Sequence, residues 1–124
     1  MQRIPKIIKL LGISPEHKGY QFLVKAIELT MEDYEYAHNV TKSLYPDVAK
    51  EFGVNAYNVD TNIRRAIEYG WPNADPICKL TIFGNVVPPK TLPTVSCVVA
   101  TIADYLKRNK ATNKSEGDKD YVWY

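Results

Sequence analysis

Asn58, Thr61 and Arg65 set an amide, a hydroxyl and a guanidinium three and four residues apart. At about 100° per residue that spacing is one stripe of an α-helix. These are groups that read base edges in the major groove of duplex DNA. An asparagine amide pairs with adenine, a guanidinium pairs with guanine, and threonine contacts bases through its hydroxyl or its methyl. Tyr57 and Arg64 flank the stripe, and Arg64 or Arg65 suits a backbone phosphate equally well. A merely solvated helix face more often carries Glu–Lys pairs.

The surrounding stretch is locally neutral. Between Val40 and Pro72, Lys42, Lys50, Arg64 and Arg65 are matched by Asp47, Glu51, Asp60 and Glu68. Phosphate affinity must therefore draw on other parts of the chain as well. Lys42 is one candidate contact. Glu16-His17-Lys18-Gly19 is another, because it places backbone N–H groups, an imidazole and an ammonium at a helix N-terminus. The same four residues also read as a plain helix start.

Other chemistries find little support. Cys78 and Cys97 are too few and too far apart for a zinc site and are expected as reduced core residues. His17 and His38 lack partners at metal-ligand spacing and are expected on the surface or at a cap. No metal and no cofactor is expected. There is no paired-carboxylate, Ser/Cys–His or glycine-rich phosphate pattern, so the chain does not read as an enzyme. Asp47 and Asp60 read as caps or solvated charges.

The elements that must position the Asn58–Arg65 stripe form a helix-turn-helix. A short helix over 46–52 buries Val48, Ala49 and Phe52, and Gly53-Val54-Asn55 makes the turn. A second helix over 56–69 stops at Gly70-Trp71-Pro72, since proline cannot continue it. Ala49 is the small residue the helix crossing needs, and Gly53 tolerates the positive φ of the turn. Val59, Ile63, Ala66, Ile67 and Gly70 share the buried side of the second helix. The same spacing also suits an ordinary αα-corner.

At 124 residues, with 45% apolar and 24% charged content, the chain reads as one globular domain. No apolar run approaches the roughly 20 residues of a membrane span. The N-terminus breaks its apolar residues with Lys6 and Lys9 and reads as an amphipathic helix, not a signal peptide, so a cytoplasmic location is expected. Net charge is +2 but segregated. Arg3, Lys6, Lys9, Lys18 and Lys25 face only Glu16, whereas residues 26–38 carry Glu28, Glu32, Asp33 and Glu35 without a Lys or Arg. The segment 76–110 is again mostly basic, so folding could gather the basic segments on one face.

Ile4, Ile7, Ile8 and Leu11 fall at helical spacing before Gly12, and Ser14-Pro15-Glu16 is a start signal for a helix over 17–33. That helix is expected to bury Tyr20, Leu23, Val24, Ile27 and Met31. A third pattern runs from Tyr36 through Val40 and Leu44 until Pro46 interrupts it. Residues 76–83 suit a short helix ended by Gly84, and prolines 88, 89 and 93 mark an extended connector. Thr94 caps a last helix carrying Val95, Val98, Val99, Ile102, Ala103 and Leu106. No segment alternates with period two, so the class is all-α. The domain is expected over 1–108, with a mobile polar tail over 109–124 that closes on Tyr121-Val122-Trp123-Tyr124.

His-Lys-Gly-Tyr at 17–20, Lys-Ala-Ile-Glu at 25–28, Thr-Lys-Ser-Leu-Tyr-Pro-Asp-Val-Ala-Lys at 41–50, Ile-Arg-Arg-Ala-Ile-Glu at 63–68, Trp71 and Phe83-Gly84 share one order and spacing. Residues 7–108 thereby resemble the C-terminal DNA-binding domain of stage-zero sporulation protein A. The resemblance implies a six-helix domain, the same helix-turn-helix and a role in transcription control of sporulation. In that family a separate receiver domain, when phosphorylated, promotes dimerisation and DNA binding; none is expected here. The family's recognition helix opens Ser-Arg-Val-Glu-Arg, where this chain has Tyr57, Asn58, Val59, Asp60 and Thr61. Its base-reading arginines are thus replaced by Asn58 and Thr61. Arg64 matches, and Arg65 stands where the family usually has His.

Two functions follow. The first is a sequence-specific DNA-binding regulator, with double-stranded DNA as partner and a homodimer or tandem copies left open. The second is an interaction protein that has lost DNA readout and pairs with or antagonises a sporulation-type regulator, its aromatic tail offering a contact.

Overall fold

In the computed structural model, residues 3–84, 87 and 90–116 are described, with side chains through Asn109. Among the described residues six α-helices carry the fold: α1 (Arg3–Leu10), α2 (Lys18–Glu32), α3 (Tyr45–Phe52), α4 (Ala56–Gly70), α5 (Pro76–Cys78) and α6 (Val95–Glu116). Among the described residues there is no strand.

The core sits around α2, which packs on α4 on one side and on α6 on the other. Its buried face is Gly19, Phe22, Leu23, Ala26, Ile27 and Thr30. Tyr20, Val24 and Met31, expected inside, are only partly covered. The face is rotated because small residues let α4 come close. A methyl built on Gly19 would stand 2.2 Å from the Asn62 carbonyl oxygen. Thr30 fits the core because its hydroxyl donates to the Ala26 carbonyl at 2.8 Å.

A second backbone crossing holds the other end of α4. A Cβ on Gly70 would lie 2.5 Å from the Leu11 carbonyl oxygen, and one on Gly12 would lie 2.5 Å from the Gly70 oxygen. Past Gly70, Trp71 packs edge-on against Phe83 with ring centroids 5.0 Å apart. Lys79 lies over the Trp71 ring and donates to its carbonyl at 3.2 Å.

Three boundaries differ from the sequence reading. Ser14-Pro15-Glu16 forms a turn ahead of α2, with the Glu16 amide donating to the Ser14 hydroxyl oxygen. The helix itself starts after His17, whose ring nitrogen serves as the cap acceptor. Pro46 does not interrupt the helical path. Residues Val40–Leu44 form a π-helical turn that feeds directly into α3, and the Tyr45 amide reaches back to Val40. The widened turn sits next to the residue that cannot donate, relieving the clash a proline ring otherwise makes. The third difference is in α6, whose backbone remains helical to Glu116, beyond Asn109 where apolar periodicity stops. Residues 117–124 lie outside the described residues, and with them the aromatic Tyr121–Tyr124 segment.

Thr94 caps α6 as expected, its hydroxyl accepting the Cys97 amide at 3.0 Å. Residues 91–94 are non-helical, and the remainder of the connector lies partly outside the described residues. Cys78 is buried, which pushes its thiol up to about 12, with Asp75 nearby adding to the effect. Cys97, expected in the core, is only half-buried.

Candidate nucleic-acid interface

The helix-turn-helix forms where the sequence places it. Phe52 ends α3, and Gly53 takes φ +67 at the turn. The Ala49 carbonyl accepts the amides of both Gly53 and Val54. Asn55 then caps α4, its side chain accepting the Asn58 amide at 2.8 Å. The buried residues of α4 are Val59, Ile63, Ala66, Ile67 and Gly70. This is the set that helical spacing assigned to the inner side.

The opposite side carries the polar residues. Asn58 and Arg65 are exposed, Thr61 is half-buried, and Tyr57 is 72% exposed at the first turn. Two neighbouring arginines differ sharply. Arg64 is paired with Asp60 at 2.8 Å, whereas Arg65 makes no ion pair or hydrogen bond among the described residues. Burial, followed by the nearby Asp60 carboxylate, drives the Tyr45 phenol far above its ordinary pKa.

The start of α2 lies beside this face. His17 accepts the Gly19 amide on Nδ1 at 3.2 Å, which leaves Nε2 pointing elsewhere as its donor. Its ring sits 5.9 Å from that of Tyr69 near the end of α4. Lys18 is exposed. His17, Lys18 and Gln21 from α2 join Asn58 and Asn62 from α4 around an open cleft of about 380 Å³. The structure thus brings His17 and Lys18 together with Asn58. It places Gly19 differently, buried at the α2–α4 crossing with its amide already engaged by His17. Lys42 is exposed on the π-helical turn before α3 and does not line the cleft.

Gln21, Asn55 and Asn62 were not singled out by sequence reasoning. Asn62 donates to the Asn58 carbonyl at 2.8 Å, and Gln21 is exposed one turn beyond Lys18. Each is one helical step from a residue that was chosen, so spacing could have found them. The meeting of Gln21 and Asn62 in one cleft depends on the α2–α4 crossing, which no local pattern announces.

Asp47 has a definite partner: it accepts the Tyr36 hydroxyl, and that bond raises the Tyr36 phenol to about 12. His38 is exposed and stacks edge-on with Tyr34. No group of His, Cys, Asp and Glu among the described residues could hold a metal ion. No helix among them is long and apolar enough to cross a membrane.

A comparison with protein families agrees with this architecture. Residues 4–106 match the family model described as sporulation initiation factor Spo0A C terminal. The match spans α1 to the buried end of α6 and includes the whole helix-turn-helix. The chain belongs to the Spo0A C-terminal family, a family of DNA-binding domains of a sporulation transcription regulator rather than of enzymes.

Proposed function

We propose that this chain is a sequence-specific DNA-binding transcription regulator whose helix α4 enters the major groove. Asn58, Thr61 and Arg65 read base edges, and Tyr57 and Arg64 support them. Lys18, Lys42 and His17 meet phosphates beside the groove, and Gly19 contributes by letting the start of α2 sit close to α4. The observation that carries this reading is Arg65, which is exposed and unpartnered among the described residues on the same face as Asn58. A guanidinium left free on a helix that is otherwise capped and packed is ready for bidentate recognition.

Because the family's opening arginines are replaced here by Asn58 and Thr61, the target sequence differs from the family's. Selection from random duplex at two salt concentrations tests the reading. The expected result is a defined motif whose affinity falls steeply with salt. Two enriched half-sites at a fixed spacing would indicate a dimer or tandem copies. The local charge balance of the helix-turn-helix favours the second reading, an interaction protein on the same scaffold. Absence of any enriched motif, with weak and salt-insensitive duplex binding, would select it.

A further inference from the structure

Asp60 is the residue whose place on α4 the proposed readout leaves unexplained. Sequence reasoning treats it as a cap or a solvated charge, yet its side chain is only 26% exposed. It accepts from Arg64 Nη2 at 2.8 Å and lies close to Tyr45, a residue 6% exposed at the start of α3. Asp60 is therefore a largely covered anion, and Arg64 is drawn to it one turn along the helix. The adjacent Arg65 has no such acid.

This arrangement bears on how a helix-turn-helix discriminates among duplexes. An uncommitted arginine on the DNA-facing side binds any phosphate and strengthens binding to every sequence. An arginine already paired with a largely covered acid contributes less to that background. It is given up most readily where the duplex offers two acceptors in fixed geometry, as guanine does. We infer that Asp60 is a specificity-determining residue, which withholds Arg64 from the phosphate backbone and so lowers affinity for non-target duplex. The inference rests on the reading of α4 as the DNA-facing helix.

The test uses the full chain, a scrambled duplex and the duplex enriched by selection, titrated at several salt concentrations. Asp60→Asn keeps the size and shape of the side chain while removing the charge that holds Arg64. It should bind scrambled duplex about two- to fivefold more tightly, the modest effect expected of a partly exposed pair. Its salt slope should steepen by about 0.9, the value for one added phosphate contact, and its preference for the enriched duplex should narrow. In an Arg64→Gln background the same substitution should leave the slope unchanged. A gain of equal size with or without Arg64 would mean simple loss of negative charge, and that overturns the inference while leaving α4 on the DNA.

Arg64→Gln alone alters a side chain 58% exposed, so the fold is not at issue. It should make the slope on scrambled duplex shallower by well under about 0.9, because an arginine paired with an acid makes only part of one phosphate contact. A slope shallower by about 0.9 overturns the inference even if Asp60→Asn does not fold. A wild-type chain with no salt-dependent duplex binding overturns the reading of α4 itself, and the inference with it.

Discussion

The two ends of α4 are held by opposite kinds of contact. At its start, Asn55 caps the helix and the side chains of Tyr57 and Asn58 stand in solvent, as Arg65 does two turns further along the outer face. At its finish, Gly70 lies backbone to backbone against Leu11 and Gly12, with no room for a methyl group. The outer face of the first turns can exchange its side chains freely, whereas Gly70 has room for nothing larger. On the proposed function, readout and scaffold are thus carried by different residues of a single helix, and a substitution in one set should be nearly silent in the property governed by the other.

The sharpest way to break this contrast is Gly70→Ala. Its Cβ would meet the Leu11 carbonyl at 2.5 Å and Ile13 Cγ1 at 2.8 Å. We expect a loss of about 3 kcal/mol of stability, visible by thermal or denaturant unfolding. The protein that remains folded should keep its base preference. A Gly70→Ala variant that melts like the wild type would show that α1 and α4 are less closely joined than the crossing implies.

Arg65→Ala probes the exposed face. It should cost about 1–3 kcal/mol of duplex affinity and relax one base position, while stability changes by no more than about 0.5 kcal/mol. Unchanged affinity and unchanged base preference would remove Arg65 from the readout. The smallest effect is expected just ahead of α4, at the turn. Gly53→Ala meets nothing within 4 Å of its new Cβ, so it bears only the strain of a left-handed residue, about 1 kcal/mol. A much larger loss would mean that the turn is packed more tightly than its open surroundings indicate.

The local features of α4 were legible in the sequence because helical spacing alone decides them. Val59, Ile63, Ala66, Ile67 and Gly70 fell on the inner side from spacing alone, and Gly53 marked the turn. Reading failed where distant segments decide the outcome. Gly19 looked like a phosphate-binding amide, since nothing near it in sequence shows that Asn62 lies against it. The inner face of α2 was misjudged for the same reason: large Tyr20 and Val24 were favoured over Gly19 and Ala26, the small residues that a close crossing selects. Pro46 was read as a break because a proline rule does not foresee that a π-helical turn can carry the helix past it. Asp60 looks solvated in the sequence, because its neighbour Tyr45 lies on the preceding helix.

The Gly12–Gly70 crossing also has a mechanical consequence. From Gly70 to Asn58 is twelve residues of helix, a rigid arm of about 18 Å at 1.5 Å per residue. A tilt of about 5° at the fixed end would carry the far end sideways by about 1.6 Å over that length. That is enough to pull a hydrogen bond from about 2.9 Å to beyond its useful range. Small repacking around Leu11, Ile13 or Gly12 would therefore act as a misaligned pivot, weakening contact with every duplex alike while leaving the choice of bases to the side chains at the tip.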